Sequence, residues 1–223
     1  MSFLSRVRLD SAAPEGREQL GKLAAGPYAE HQILWKLWGH RPDAERDFQF
    51  RRIDGSVPGY YLLSAVPPEA GSPGWLIETK PFNPQIDEGD ALAFELRANP
   101  VITRRGSDGK SRRHDVVCDA LKAQSVADEH GRADIERSAG LSWLARQGER
   151  HGFAFDPEMM RTGDYRQEWI RGSGKSQDIR YSSLDYSGRL TVTDASAFLA
   201  CVRNGLGKAK AFGCGLFLLR RIS

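Results

Sequence analysis

The segment GLGKAKAFGCGLFLL, residues 205–219, concentrates glycines and lysines in a way that suits contact with a bulky anion. The residues concerned are Gly205, Gly207, Lys208, Lys210, Gly213 and Gly215. Glycine has no side chain and tolerates positive φ, so the backbone N–H groups of such a loop can lie directly against a phosphodiester. A tight turn shaped only by packing would need the same glycines. The two lysines favour binding of a polyanion over that alternative.

A second candidate for chemistry is the pair Tyr28 and His31 on a helix predicted for residues 27–38. These side chains lie one turn apart on one side of the helix. The apolar stripe beside them consists of Ile33, Leu34 and Leu37. A histidine among aromatic residues is most often a structural residue with its hydrogen bonds satisfied. The alternative is proton transfer, because the imidazole has an unperturbed pKa of ~6.5.

The segment RRGSDGKSRRH, residues 104–114, predicts a basic hairpin tip. Its cations are Arg104, Arg105, Lys110, Arg112 and Arg113. Such cations repel one another unless a polyanion neutralises them, and a protruding basic loop can straddle the phosphates of an A-form RNA stem. A solvated loop would explain any one of these charges, but it explains five of them less well.

The order of the predicted elements disfavours a mononucleotide site. The glycine-rich loop follows a helix at residues 195–204, with Thr193 and Asp194 as capping candidates, and precedes a strand at 216–222. A Rossmann or P-loop site needs the reverse order, with the phosphate at the N-terminus of the following helix. The triplet Gly174-Lys175-Ser176 imitates the end of a P-loop, but Trp169 occupies the position of the required earlier glycine. A nucleotide-dependent enzyme is therefore a rejected alternative.

Composition is that of a soluble globular protein, with 40% hydrophobic and 27% charged residues. The net charge of +3 is too small to indicate nucleic acid by itself, so clustering of cations has to carry that prediction. Three cysteines without a CxxC pair indicate free thiols, and no metal-binding spacing is found. Because the sequence shows neither a signal-peptide pattern nor a membrane-length apolar run, we expect a cytoplasmic protein with no membrane contact. We also expect the protein to be monomeric when free.

The predicted elements give an α+β class with two tandem ferredoxin-like βαββαβ domains. The first domain, residues 1–82, has strands at 3–9, 46–53, 59–66 and 74–80 around the Tyr28/His31 helix. A proline-rich hinge at 81–89 separates it from the second domain, residues 83–223. That domain has a strand at 91–103, helices at 115–126 and 134–146 started by acidic caps, weak strands near 153–155, 179–186 and 190–192, and the closing helix, loop and strand.

Three motifs together resemble the CRISPR-associated repeat-RNA endoribonucleases of the CasE branch, which serves type I-E Cascade. They are the glycine-rich segment, the sequence LRANP at residues 96–100, and the Tyr-x-x-His spacing of Tyr28 and His31. The resemblance implies cleavage of stem-loop repeats in a CRISPR precursor RNA, a 2′,3′-cyclic phosphate product, no cofactor or metal, and continued residence on the RNA hairpin beside other Cascade subunits.

RNA can be cut without a metal because its own 2′-hydroxyl attacks the adjacent phosphorus, given in-line geometry, proton transfer and charge stabilisation. The resemblance favours His31 as the general acid or base. Tyr28 would orient the ribose or the phosphate, because a phenol with a pKa of ~10 is a poor base at neutral pH. Lys208 and Lys210 are candidates for stabilising the phosphate charge. The main alternative is a non-catalytic subunit that binds structured RNA and in which His31 is structural.

Overall fold

The computed structural model describes residues 2–23, 26–39, 48–53, 55–124, 129–170 and 178–222. The chain divides into two compact units: unit 1 is Met1–Gln85 with Ala209–Leu216, and unit 2 is Ile86–Lys208 with Phe217–Ser223. Both combine helices with antiparallel sheets. The predicted domain ranges, 1–82 and 83–223, stay a prediction. Unit 2 differs from the second range in lacking Ala209–Leu216, which groups with unit 1.

Unit 1 is a four-stranded antiparallel sheet with its helices in the connection that follows the first strand. The sheet order is β2-β3-β1-β4. The strands are β1 (Ser2–Leu9), β2 (Phe48–Ile53), β3 (Gly59–Ser64) and β4 (Trp75–Phe82), and the helices are α1 (Pro14–Leu23) and α2 (Pro27–Trp35). The connection from β3 to β4 is described throughout and contains no helix. The second helix of a complete βαββαβ unit is therefore replaced by a loop in unit 1.

Alternation of side chains in β1 explains how this sheet buries one face. Val7 and Leu9 are buried, whereas Arg6 and Arg8 are exposed on the other face. Helix α2 begins at Pro27, a residue whose fixed φ suits the first turn. The predicted helix at 27–38 differs at its end, because its last three residues form a 3-10 turn before Gly39, whose φ is 68°.

Unit 2 is built around the long central strand β11 (Ile179–Val192) and its neighbour β5 (Ala91–Ala98). The sheet order is β10-β11-β5-β12, and the short strands β8 and β9 also pair with β11. The remaining strands are β6 (Val101–Arg105), β7 (Ser111–Asp115), β8 (Phe153–Ala154), β9 (Arg161–Thr162), β10 (Arg166–Ile170) and β12 (Phe217–Arg221). The helices are α3 (Val116–Ala123), α4 (Glu129–His151) and α5 (Ala195–Asn204). Strands β6 and β7 form a separate hairpin.

Three sequence predictions for unit 2 are wrong in detail. The strand at 91–103 is broken because Pro100 has no N–H to donate, and Asn99 uses its side-chain amide to donate to the carbonyl of Ser182 at 2.7 Å. Helix α4 begins at Glu129, so Asp134 lies inside it and does not cap it. The two weak strands at 179–186 and 190–192 are one continuous strand, β11.

Other predictions for unit 2 are confirmed. Asp115 caps α3 by accepting hydrogen bonds from the backbone N–H groups of Val117 and Cys118, both at 3.0 Å. Asp194 caps α5 by accepting from the N–H of Ala197 at 2.9 Å. The triplet at residues 174–176 lies outside the described residues. Of the helices in the described ranges, not one has the length and apolar character that crossing a membrane requires.

Candidate active site and nucleic-acid interface

Helix α2 carries both predicted catalytic residues but exposes them unequally. Tyr28 is 46% exposed, whereas His31 is only 6% exposed. The imidazole of His31 stacks on the ring of Phe48, with centroids 5.5 Å apart and planes at 10°, and lies 6.4 Å from the ring of Phe50. The ring of Phe48 also stacks on the ring of Trp38, with centroids 4.6 Å apart. Aromatic residues of β2 therefore set the plane of the His31 ring.

An ion pair between the buried Glu30 and the exposed Arg52 fixes the first turn of α2 to the sheet. The carboxylate of Glu30 accepts a hydrogen bond from the Nη1 of Arg52 on β2 and another from the hydroxyl of Tyr60 on β3, the latter at 3.2 Å. Burial, together with the nearby charge of Glu30, raises the pKa of Tyr60, so its hydroxyl stays protonated and donates. Glu30 also suits the positive end of the helix dipole. Because Glu30 lies between Tyr28 and His31 in sequence, this ion pair helps to place both.

The second half of the glycine-rich segment belongs to unit 1 and lies beside α2. Its 3-10 turn, Lys210–Phe212, packs against both α2 and β2. Gly213 follows with φ of 78°, and a Cβ built there would lie 3.2 Å from Cε2 of Phe50. Only glycine fits this combination of left-handed backbone and close approach. Gly213, Phe50 and His31 thus form one contiguous row of contacts.

The first half of the same segment belongs to unit 2, where it ends helix α5. The N–H of Gly205 donates to the carbonyl of Cys201 at 2.7 Å, which closes the last helical turn. Gly207 has φ of 76° and faces the ring of Trp143, which a built Cβ would meet at an ordinary distance of 3.6 Å. Lys208 is exposed.

The predicted site residues therefore fall into two groups. Unit 1 brings together Tyr28, His31, Lys210, Gly213 and Gly215, of which Lys210 is half-buried and both glycines are buried. Unit 2 holds Gly205, Gly207, Lys208 and the five cations of the basic hairpin.

The basic hairpin is formed by β6 and β7, and all five predicted cations are exposed on it. Asp108 pairs with Arg112 through two contacts, at 2.5 and 3.1 Å, and Asp119 lies 3.5 Å from Arg104. Two of the five charges are thus already balanced by carboxylates. This contradicts the expectation that all five repel one another until a polyanion binds.

The remaining cations of the hairpin differ in their surroundings. The Nε of Arg105 donates to the carbonyl of Gly109 at 3.2 Å, within the turn. Lys110 and Arg113 have no carboxylate oxygen within 4.0 Å among the residues that the structure describes. Lys110 and Arg113 are therefore the cations best suited to meet a phosphate.

Two contacts that the sequence did not reveal hold the base of the hairpin. The indole Nε1 of Trp143 donates to the carbonyl of Val101 at 3.0 Å. The hydroxyl of Tyr165 donates to Oδ2 of Asp115 at 2.7 Å, while Oδ1 of the same carboxylate caps α3. Burial and the hydrogen bond to Asp115 raise the pKa of Tyr165. One carboxylate thus joins the hairpin to a helix and to the segment before β10.

This chain is similar to known proteins over most of its length. A family model described as "CRISPR associated protein" matches residues 2–221. The chain is 33% identical over 201 residues to the CRISPR system Cascade subunit CasE of Escherichia coli. This alignment covers 86% of this chain and 90% of the relative. It is 27% identical over 234 residues to the CRISPR-associated endoribonuclease Cse3 of Thermus thermophilus, and this alignment covers 96% of this chain and 97% of the relative.

A solved structure supports the fold independently. The structure of the CRISPR endoribonuclease Cse3 bound to a 19-nucleotide RNA superimposes with a TM-score of 0.68, at 23% identity, over 99% of this chain and 100% of the other. Family match, sequence identity and fold agree over almost the whole chain. The chain therefore belongs to the CasE family of CRISPR-associated proteins, which includes CasE and Cse3.

Proposed function

We propose that this protein is a metal-independent endoribonuclease that cleaves stem-loop repeats of CRISPR precursor RNA and leaves a 2′,3′-cyclic phosphate. The observation that carries the proposal is the row of contacts in unit 1, in which the turn at Lys210–Phe212 lies against the helix of Tyr28 and His31. A lysine and glycines that can approach a phosphate thus share a unit with an imidazole that can move a proton. The relationship to a named endoribonuclease supports the same activity.

In this proposal the 2′-hydroxyl loses its proton and attacks the adjacent phosphorus, which forms the cyclic phosphate and breaks the bond to the 5′-oxygen. The 5′-oxygen leaves with a proton. His31 serves as the acid or the base for one of these transfers. Tyr28, which is 46% exposed, orients the ribose or the phosphate, and Lys210 stabilises the charge that develops on phosphorus-bound oxygens.

Incubation of the protein with its own repeat RNA in EDTA tests this chemistry. We expect unchanged cleavage, a 3′ product end that resists phosphatase until acid opens the cyclic phosphate, and no cleavage of RNA with a 2′-deoxy substitution at the scissile nucleotide. Cleavage that stops when magnesium is removed would contradict the proposal.

The burial of His31 favours a second candidate function. An imidazole that is 6% exposed and stacked on Phe48 is also what a structural histidine looks like. The protein would then bind structured RNA without cutting it.

Substitution of His31 distinguishes the endoribonuclease from the non-catalytic RNA-binding protein. For His31→Ala we expect cleavage to be lost while affinity for the repeat hairpin persists. Gln32→Ala is the matched control, because Gln32 is exposed on the same helix and outside the proposed site. Unchanged cleavage by His31→Ala, with binding intact, would leave the residue a structural role.

We further propose that the protein stays on the product hairpin as a subunit of Cascade, as the name of its Escherichia coli relative suggests. It would be cytoplasmic, and monomeric before assembly. We also propose that both units are ferredoxin-like variants. Supporting this, each sheet places its first strand between its last and its penultimate strand: β1 in unit 1 and β5 in unit 2.

A further inference from the structure

The strand pair β10–β11 presents an exposed tryptophan next to an arginine. Trp169 on β10 lies directly opposite Arg180 on β11, and it is 56% exposed. The Cζ atom of Arg180 is 4.3 Å from the centroid of the indole ring, which is the distance of a cation–π contact. Trp169 is therefore a large aromatic residue that is more than half exposed on this strand pair.

The indole is held in one orientation. Its Nε1 donates to Oδ2 of Asp178 at 2.9 Å, and the Arg180 guanidinium lies over its ring. A ring fixed in this way loses little conformational entropy when a flat ligand stacks on it. The same contacts would stabilise the strand pair even if nothing bound, so the experiment has to detect the ligand directly.

The charge of Arg180 indicates what kind of ligand fits. Within the described residues, no carboxylate oxygen lies within 4.0 Å of its guanidinium. Two other arginines of the same sheet are balanced: Arg97 makes a two-point contact with Asp185 at 2.7 and 2.9 Å, and Arg166 lies 3.6 Å from Asp164. A planar cation beside an exposed ring matches a ligand that is both flat and anionic.

We propose that Trp169 and Arg180 bind one unpaired nucleotide of the RNA, with its base stacked on the indole and its phosphate against the guanidinium. Each of the four bases has a flat face that can stack on an aromatic side chain. The arginine guanidinium can donate two parallel hydrogen bonds to a phosphate. A base inside a duplex stem is already stacked on both sides, so the site selects a single-stranded position. The proposal rests on the proposed function only in taking RNA as the ligand.

Affinity measurements with two RNAs test the site. One is the repeat hairpin with its loop and flanking single strands, and the other is a blunt duplex of the same stem. For Trp169→Ala we expect about tenfold weaker binding to the hairpin RNA and unchanged binding to the duplex. The cleavage rate at saturating RNA should stay at the wild-type value. For Arg180→Gln we expect the salt slope of hairpin binding to fall by about 0.7.

A direct readout guards against simple loss of structure. The fluorescence of 2-aminopurine, placed at one unpaired position of the RNA at a time, should be quenched at one position by the wild type and by Trp169→Phe, which retains a ring that can stack. Trp169→Ala should not quench it. Met159→Ala, which removes another exposed apolar side chain of unit 2, should behave as the wild type.

The outcomes distinguish this site from the proposed function. If the wild type cleaves the repeat RNA but Trp169→Ala binds both RNAs as the wild type does, the nucleotide site is refuted and the function stands. If Trp169→Ala instead impairs assembly with the other Cascade subunits at unchanged RNA affinity, the surface contacts protein and the proposal is wrong. If the wild type neither binds nor cleaves the RNA, both fail.

Discussion

Substitution of Gly213 with alanine should lower both the stability of unit 1 and its cleavage activity. A Cβ at this position would lie 3.2 Å from Cε2 and 3.6 Å from Cδ2 of Phe50. Non-bonded carbon atoms pack best at about 3.5–4.0 Å, so the ring has to move by a few tenths of an ångström. The backbone of Gly213, with φ of 78°, also strains any residue with a side chain.

The two effects have separate magnitudes. Left-handed backbone costs a residue other than glycine about 1–2 kcal/mol, and overpacking adds about 1–3 kcal/mol. We therefore expect Gly213→Ala to reduce the free energy of unfolding by about 2–5 kcal/mol. Gly71→Ala is the matched control, because Gly71 is in the same unit with φ of 81° and a Cβ there meets nothing within 4 Å. It should cost only the backbone strain.

The displaced Phe50 ring should also disturb His31, whose ring centroid is 6.4 Å away. A catalytic group misplaced by about 1 Å can lower the rate a hundredfold, so a shift of the His31 ring by less than that should slow cleavage about tenfold. Single-turnover cleavage of repeat RNA, at a temperature where both variants are folded, measures this loss. If Gly213→Ala matches Gly71→Ala in denaturant unfolding and in cleavage rate, Phe50 does not connect the loop to His31.

Two further predictions use the ion pairs. Arg52→Ala leaves the buried carboxylate of Glu30 short of a donor and should lower the free energy of unfolding by about 2 kcal/mol in urea titrations. Arg8→Ala, which breaks a pair exposed on both sides at 3.9 Å, should change it by less than about 1 kcal/mol. Equal effects would show that burial of the Glu30 carboxylate is unimportant. Arg113→Gln should reduce the slope of the salt dependence of RNA binding by about one unit. Arg112→Gln should reduce that slope less, because Asp108 already balances the charge of Arg112. A larger reduction for Arg112→Gln than for Arg113→Gln would contradict this view of the hairpin.

Local patterns predicted much of the fold because they depend on neighbouring residues. The alternation in β1, the capping of α5 by Asp194 and the core stripe of α2 follow from periodicity and hydrogen-bonding chemistry. Helix α4 began earlier than predicted, at Glu129, because an acidic residue such as Asp134 is tolerated inside a helix as well as at its start.

The surroundings of the site could not be predicted, since they depend on residues distant in sequence. Phe48, which sets the plane of His31, comes from another strand, and the ion pair between Glu30 and Arg52 requires knowing that α2 lies on β2. One feature of the hairpin was predictable and missed. Asp108 stands four residues before Arg112 across a tight turn, a spacing that brings the two side chains together.

The return of Ala209–Leu216 to unit 1 bears on how the protein is synthesised. Ribosomes make the chain from its amino end, so the first 85 residues leave the exit tunnel long before the segment that completes their packing. During that interval the ring of Phe50 lacks its cover from Gly213. We therefore expect the nascent amino-terminal portion to stay loosely packed and to become protease-resistant only after residues 209–216 have left the ribosome.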